Sequence, residues 1–316
     1  MNEETRWKEQ LHAQWTTPDE VIRDLVLRAT GSVIAARSRI IGGEGNEVWS
    51  ITSKAGDKLI IRISHWTTFA AEQWATEQAC GAGVPVPEIL LVDNNVAVGD
   101  RHLAIWIHRR IEGQALDTLQ HQQALRRLTA DAGELLARIH SVHTVGYGPL
   151  DGQGRGLLGG FSEVLMWNAG DAALVHGISM AEIDRAVYLI ESHQHLWAAP
   201  PRLLHGDWLA EHVIVRDDRV AGIIDFGNTR SGDPALDLAY WQFFWDTERY
   251  PLASLLDGYR RAGNAGEHLD VRLNLCRLGL SMRALGYYSQ HSRDLPAQHS
   301  ARRFLEALTW LGNHAR

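Results

Sequence analysis

His205-Gly206-Asp207 and, eighteen residues after that aspartate, Asp225-Phe226-Gly227 put two carboxylates at the ends of a segment made to fold back on itself. Between them, two short β-branched runs, His212 to Val215 and Val220 to Ile224, flank the turn-forming pair Asp217-Asp218. The pattern predicts a hairpin that returns Asp225 to the neighbourhood of Asp207. Two aspartates brought to one place can share a bound cation, which is a chemistry of phosphate groups.

The order His-x-Asp-x-x-x-x-Asn, then Asp-Phe-Gly, is the phosphoryl-transfer signature of the kinase fold. The spelling His205-Gly206-Asp207, followed by Asp233-Pro234-Ala235-Leu236-Asp237-Leu238-Ala239, resembles the aminoglycoside phosphotransferase family of small-molecule kinases. One position departs, because His212 stands where the pattern has asparagine, as it does in macrolide kinases and one branch of aminoglycoside kinases. The resemblance implies that Asp207 is the catalytic residue that takes the acceptor's proton. It implies further that His212 and Asp225 hold Mg²⁺, and that Asp237 braces the loop backbone. Imidazole is a softer ligand than the oxygens Mg²⁺ prefers, so the reading of His212 rests on its register. Seven residues separate Asp225 from Asp233, too few for the long segment that presents a peptide to a protein kinase.

These residues need a scaffold, and the chain supplies one in order. Pro18, Asp19 and Glu20 open a helix that carries Val21, Ile22, Leu25 and Val26 on one face and ends at Gly31. Strands are predicted over Ser32 to Ile41, Glu47 to Ser53 and Lys58 to Ile63, the first two joined by a glycine-rich turn through Gly43, Gly45 and Asn46. Glycine suits a phosphate site because the missing Cβ admits backbone amides to the oxygens. By the resemblance, Gly43, Gly45 and Asn46 belong to the nucleotide site and Arg62 meets the α/β-phosphates. A helix over Phe69 to Ala82 offers the partner of Arg62, its offset favouring Glu72 over Glu77. Strands at Glu88 to Asp93 and His102 to Ile107 surround an Asp93-Asn94-Asn95 turn, and Ile107 to Gly113 reads as the hinge that contacts the purine through its backbone.

Beyond the hinge the pattern turns helical. A helix over His121 to Val142 carries an apolar stripe and ends near His140, a structural histidine. Tyr147 to Gly160 reads as a glycine-rich connection, and helices follow at Phe161 to Gly170 and Met180 to Trp197. Glu163, Asp171, Glu182 and Asp184 are available there to bind ammonium groups of an acceptor. The run from Asp237 to Trp245 is apolar almost all round, as a buried helix is. Leu252 to Ala262, Leu269 to Tyr288 and Ala301 to Leu311 complete the helical part.

Composition sets the limits. The 316 residues are 45% hydrophobic and 22% charged, ordinary for a globular chain. A net charge of −7 argues against nucleic acid as partner, since a phosphate backbone is met with a basic surplus. Residues 111–316 carry 19 Lys+Arg against 24 Asp+Glu, a mild acidity that would suit a cationic acceptor. Cys80 and Cys276 show no metal spacing, and a reducing cytosol fits. No signal peptide and no run of roughly eighteen apolar residues is present, so a cytoplasmic protein without a membrane span is expected.

The expectation is an α+β, two-lobed, protein-kinase-like fold. Residues 1–107 form a nucleotide-binding lobe of antiparallel sheet plus helix, and 108–316 the hinge and a mainly helical catalytic and acceptor-binding lobe. The expected activity is transfer of the γ-phosphoryl group of ATP or GTP, with Mg²⁺, to a hydroxyl of a small molecule. An antibiotic of aminoglycoside or macrolide type is the leading acceptor. A metabolite kinase of choline, homoserine, methylthioribose or amino-sugar type is the alternative, as is a kinase-like nucleotide-binding protein with little turnover. The chain is expected to work as a monomer or homodimer.

Overall fold

Helix α1 (Asp19–Thr30) starts with two acidic residues in its first turn and stops at Gly31, whose φ of 69° is left-handed. Its stripe, Ile22, Leu25 and Val26, is buried against Leu59, Ile61 and Ile63 on one strand and Leu103, Ile105 and Ile107 on another. Those positions alternate because successive strand residues face opposite sides of a sheet. The computed structural model describes residues 9–41, 45–167, 177–243, 249–291 and 293–314. Among them, no helix is long and apolar enough to cross a membrane. The chain falls into two units, Met1–Gln73 with Val86–Glu112, and Trp74–Pro85 with Gly113–Arg316.

The first unit is an antiparallel sheet of β1 (Ile34–Ile40), β2 (Glu47–Ser53), β3 (Lys58–Ser64), β4 (Ile89–Val98) and β5 (Arg101–Arg109), in the order β1-β2-β3-β5-β4. One sheet face meets α1. The other carries Ala104 and Trp106, packed with Phe69 just ahead of α2 (Ala70–Gly81). The strand β5 runs to Arg109, past the lobe boundary expected at 107. The turn expected at Asp93-Asn94-Asn95 is not one: β4 passes through it with a register shift between Asp93 and Val96, and the chain reverses after Val98. Side chains satisfy the irregularity locally. Asn94 Oδ1 accepts from the Phe69 amide at 2.7 Å, and Asp93 accepts from the Asn95 amide at 3.2 Å and from Arg28 at 3.0 Å.

In the second unit, α3 (Gln122–Ile139) buries Leu125, Leu128, Ala132, Leu136 and Ile139. It crosses α7 (Leu252–Ala262) so closely that a Cβ on Gly133 or Gly258 would overlap a carbonyl oxygen of the facing helix. The stretch read as a connection holds two short strands, β7 (Tyr147–Leu150) and β8 (Gly156–Leu158). With β9 (Arg202–Leu204) and β12 (Arg230–Gly232) they form a four-stranded sheet in the order β8-β7-β12-β9. The hairpin of β10 (Val213–Arg216) and β11 (Arg219–Ile223) pairs with β6 (Gln114–Ala115). Its two-residue turn has φ of 50° at Asp217 and 62° at Asp218, the left-handed pair whose twist suits a hairpin. Helix α4 (Phe161–Met166) is shorter than expected, and α5 (Met180–Ser192) gives way to a single 3₁₀ turn at Gln194–Trp197. Helices α6 (Ala235–Phe243), α8 (Leu269–Gln290) and α9 (Asp294–His314) complete the unit. The fold is the two-part, kinase-like α+β arrangement, with an antiparallel sheet first and helices after.

Candidate active site

Strand β9 delivers the loop that starts at His205, and a buried carboxylate holds that loop by its backbone. Asp237, in the first turn of α6, accepts from the amides of His205 at 2.7 Å and Gly206 at 2.9 Å. Such a charge inside an apolar helix is tolerable only when fully hydrogen-bonded. His140 supplies the remaining bond, its Nε2 donating to Asp237 Oδ2 at 3.0 Å, while its Nδ1 lies 3.0 Å from the Tyr259 hydroxyl. Burial works against the Asp237 charge, yet the bonds from His140 and the loop amides hold its carboxyl below the usual range. Asp233 caps the same helix, accepting from the Ala235 amide at 2.8 Å and from Arg272 through both oxygens, at 2.9 and 2.7 Å.

Gly206 has a φ of 80°, and a Cβ there would overlap the carbonyl oxygen of Asn228, so the turn ahead of Asp207 is open only to glycine. Asp207 follows with its carboxylate 3.4 Å from the side-chain amide of Asn228, which donates to it. Burial raises the Asp207 pKa and Asp225 adds to the rise, while His212 opposes it. A carboxylate of raised pKa is the better proton acceptor.

His212 closes the loop, its Nδ1 donating to the Asp207 carbonyl at 2.8 Å. Its Nε2 lies between two carboxylates, 3.7 Å from Glu211 Oε1 and 3.8 Å from Asp225 Oδ2, and would present a lone pair to a cation only when the ring is neutral. Both gaps are too long for a hydrogen bond. Asp225 itself holds a left-handed backbone, φ 65° and ψ 66°, which aspartate tolerates better than most residues. Burial lowers the His212 pKa, but the carboxylates of Asp225 and Asp207 outweigh it and the net direction is up. Among the described residues, no group of three or more His, Cys, Asp or Glu is placed to hold a metal. A cation at this pair would need its remaining ligands from elsewhere, as Mg²⁺ takes them from nucleotide phosphates and water.

The first unit places its residues around Arg62. Strand alternation turns Arg62 away from Leu59, Ile61 and Ile63 toward the face of Phe69, whose ring centre lies 5.4 Å from the guanidinium carbon. Its Nη1 donates to Glu72 Oε1 in the first turn of α2, both side chains being largely buried. Asn46 satisfies both its groups with its oxygen 3.0 Å from Arg62 Nη2 and its nitrogen 3.1 Å from the Gly45 carbonyl. Glu72 is thus the glutamate paired with Arg62, and Glu77 is exposed. Gly43 lies outside the described residues, as does Asp171. Of the other acids read as ammonium binders, Glu182 accepts from the Ser179 amide at 2.8 Å and hydroxyl at 2.7 Å to cap α5, and Asp184 is exposed.

Sequence reasoning missed Arg230, Tyr240 and Arg283, on β12, α6 and α8, whose charges or dipoles act on Asp207. No periodic signal marks them, because their convergence is tertiary. It also missed Glu47. This fully buried carboxylate at the start of β2 accepts from Thr17 at 2.7 Å and Trp49 at 2.9 Å, with His65 Nε2 at 3.2 Å.

Comparison with known proteins gives the family and the fold. A model described as the phosphotransferase enzyme family matches residues 37–272. Hygromycin-B 4-O-kinase of Escherichia coli is 23% identical over 233 residues, 71% of this chain and 63% of the relative, so the match spans less than two thirds of that protein. Among solved structures, a ternary complex of aminoglycoside phosphotransferase APH(4)-Ia with ADP and hygromycin B superposes with a TM-score of 0.71 at 19% identity. It covers 91% of this chain and 98% of that one. Macrolide 2'-phosphotransferase MphH from Brachybacterium faecium gives 0.58 at 16% identity, covering 92% and 98%.

Proposed function

The chain belongs to the phosphotransferase enzyme family, and we propose that it is a small-molecule kinase with a hydroxyl acceptor whose reaction is carried by Asp207, His212 and Asp225. In that reaction the γ-phosphoryl group of ATP or GTP passes to the acceptor. The observation that carries this reading is the orientation of His212: one nitrogen is committed to the Asp207 carbonyl, and the other is turned toward Asp225 and Glu211. The acceptor oxygen attacks the γ-phosphorus as the bond to the β-phosphate oxygen breaks, the hydroxyl proton passes to the Asp207 carboxylate, and the nucleoside diphosphate leaves. A Mg²⁺ ion, when bound, supplies neutralising charge for the donor phosphates. His212 Nε2 and the Asp225 carboxylate are the residues that would hold it. Arg62, set by Glu72 and Asn46, binds the donor phosphates, with Gly45 at the glycine-rich turn. Because the transition state is loose, positioning and charge supply most of the catalysis.

The acceptor is the finer question. The relatives named for hygromycin B and macrolides support an antibiotic. A metabolite acceptor is the second reading, and the positive charge beside Asp207 favours it. Purified protein incubated with ATP or GTP and Mg²⁺, against a panel of antibiotics and metabolite alcohols, tests the activity through release of diphosphate nucleotide. The reading predicts release that depends on an acceptor. If no acceptor raises turnover above solvent hydrolysis, the assignment fails.

A further inference from the structure

Outside the proposed metal pair, two arginines of the same unit act on the Asp207 charge. Arg230, first residue of β12, donates through Nε to the Asn228 carbonyl at 3.1 Å. The same Nε is 3.1 Å from the point a Cβ on Gly206 would occupy, so it lies against the backbone immediately before Asp207. Arg283, on α8, donates to the hydroxyl of the buried Tyr240, and its guanidinium carbon is 5.8 Å from that ring centre. The two guanidinium groups act on one another, and each acts on the Asp207 carboxylate. Among the described residues neither forms an ion pair with a carboxylate; their hydrogen bonds go to a carbonyl and a phenol.

Two half-buried like charges repel and each loses solvation; Asp207 and Asp237 offset part of that cost for Arg230, and an added anion would offset more. Burial and Arg283 already lower the Arg230 pKa to about 10. Planar guanidinium forks match the oxygens of carboxylate and phosphate groups. They would repel the ammonium groups of a polycation. In the reading proposed above the donor phosphates are assigned to other residues, which leaves these arginines without a role toward the nucleotide. Of the described acids read as ammonium binders, Glu182 is engaged in its helix cap, and Glu163 and Asp184 are exposed.

We propose that the acceptor of this kinase carries an anionic group, a carboxylate or a phosphate, that seats on Arg230 and Arg283 while its hydroxyl faces Asp207. This inference rests on the kinase reading and narrows its substrate class away from aminoglycosides.

The test uses matched acceptors that differ in one charge: gluconate with gluconamide, glycerate with glyceramide, and glucose 6-phosphate with glucose, alongside kanamycin and hygromycin B. Initial rates with Mg²⁺ and ATP or GTP, and thermal stabilisation by each compound without nucleotide, are measured for wild type, Arg230→Gln, Arg283→Gln and Arg283→Lys. The expected result is that anionic members stabilise the wild type and exceed their neutral partners at least tenfold in kcat/KM. The acid pairs against the phosphate pair show which anion is taken. Each glutamine variant should raise acceptor KM at least tenfold with nucleotide KM unchanged, and Arg283→Lys should recover part of the loss. Kanamycin or hygromycin B turned over equally by wild type and Arg230→Gln would leave the kinase reading standing and overturn this one. So would neutral or cationic compounds that stabilise the protein where no anionic one does. Absence of acceptor-dependent turnover with every compound, together with no stabilisation, removes both.

Discussion

The imidazole of His212 is tied by its Nδ1 to the Asp207 carbonyl at 2.8 Å, so the residue that orients a metal-facing nitrogen also fixes the backbone of the proposed base. Removing the ring therefore has two effects, and they separate in a Mg²⁺ titration of turnover. His212→Asn restores an oxygen ligand and should keep Mg²⁺-dependent activity. His212→Ala should raise the Mg²⁺ required about tenfold or more, as loss of a ligand or its support does. Identical apparent metal affinity in all three proteins would reduce His212 to a packing residue.

Asp207→Asn should leave the melting temperature near that of wild type and lower kcat by about a hundredfold or more, the range for loss of a general base. The side chain is only partly buried, and among the described residues its hydrogen bond is a 3.4 Å one from Asn228, so folding has little invested in it. Turnover close to wild type would remove the assignment.

Arg62→Ala should weaken nucleotide use by roughly 1.5–3 kcal/mol, the size of a hydrogen bond to a charged group, with acceptor KM little changed. Glu72→Gln should act in the same direction and less strongly, since it frees the guanidinium that Glu72 now aims. A change confined to acceptor KM would place Arg62 in the other site.

Asp237→Ala strips the acceptor from two loop amides and from His140, leaving buried donors unsatisfied. The expected cost is about 3–5 kcal/mol in urea unfolding, as for one partner of a buried charge network. Amide exchange at His205 and Gly206 should quicken in step. A variant that unfolds at the wild-type midpoint would show that the loop holds itself.

His205 is fully buried, and its pKa is lowered to about 4, by burial first and then by His212. Its Nε2 donates to the Ile224 carbonyl at 3.0 Å, and its Nδ1 has no partner to receive a proton. The unfolded chain binds a proton at this residue below about pH 6.5, which the folded chain does not take until about pH 4. Stability from this group is thus full above pH 6.5 and falls as pH drops toward 4, by about 3 kcal/mol over the window. Urea unfolding of wild type and His205→Gln between pH 7 and 4.5 should show a shallower pH slope in the variant, and equal slopes would contradict the assignment.

Much of this molecule could be read from residue order. Strands β2 and β3 and helix α7 follow from alternation and helical spacing, and Asp217-Asp218 marks its hairpin because left-handed pairs favour such residues. Asp207, His212 and Asp225 were legible together because twenty residues carry them all. The Asp93-Asn94-Asn95 stretch misled because turn-forming side chains can equally satisfy a bulge inside a strand. Strands β7 and β8 escaped notice because three or four glycine-rich residues have no measurable period. Arg230, Tyr240 and Arg283 escaped for another reason: each looks ordinary in its own element, and only packing brings them to one carboxylate.

The grip of Asp237 falls on main-chain amides, which every residue except proline possesses. Attachment of the loop is therefore blind to most of the side chains the loop displays. Drift can rewrite the surface shown to the acceptor while the mooring beneath it stays constant, so descendants of one ancestor can diverge in diet without relearning how to hold their base. For directed evolution toward new acceptors, position 237 is the one to leave fixed while the residues around Asp207 are randomised.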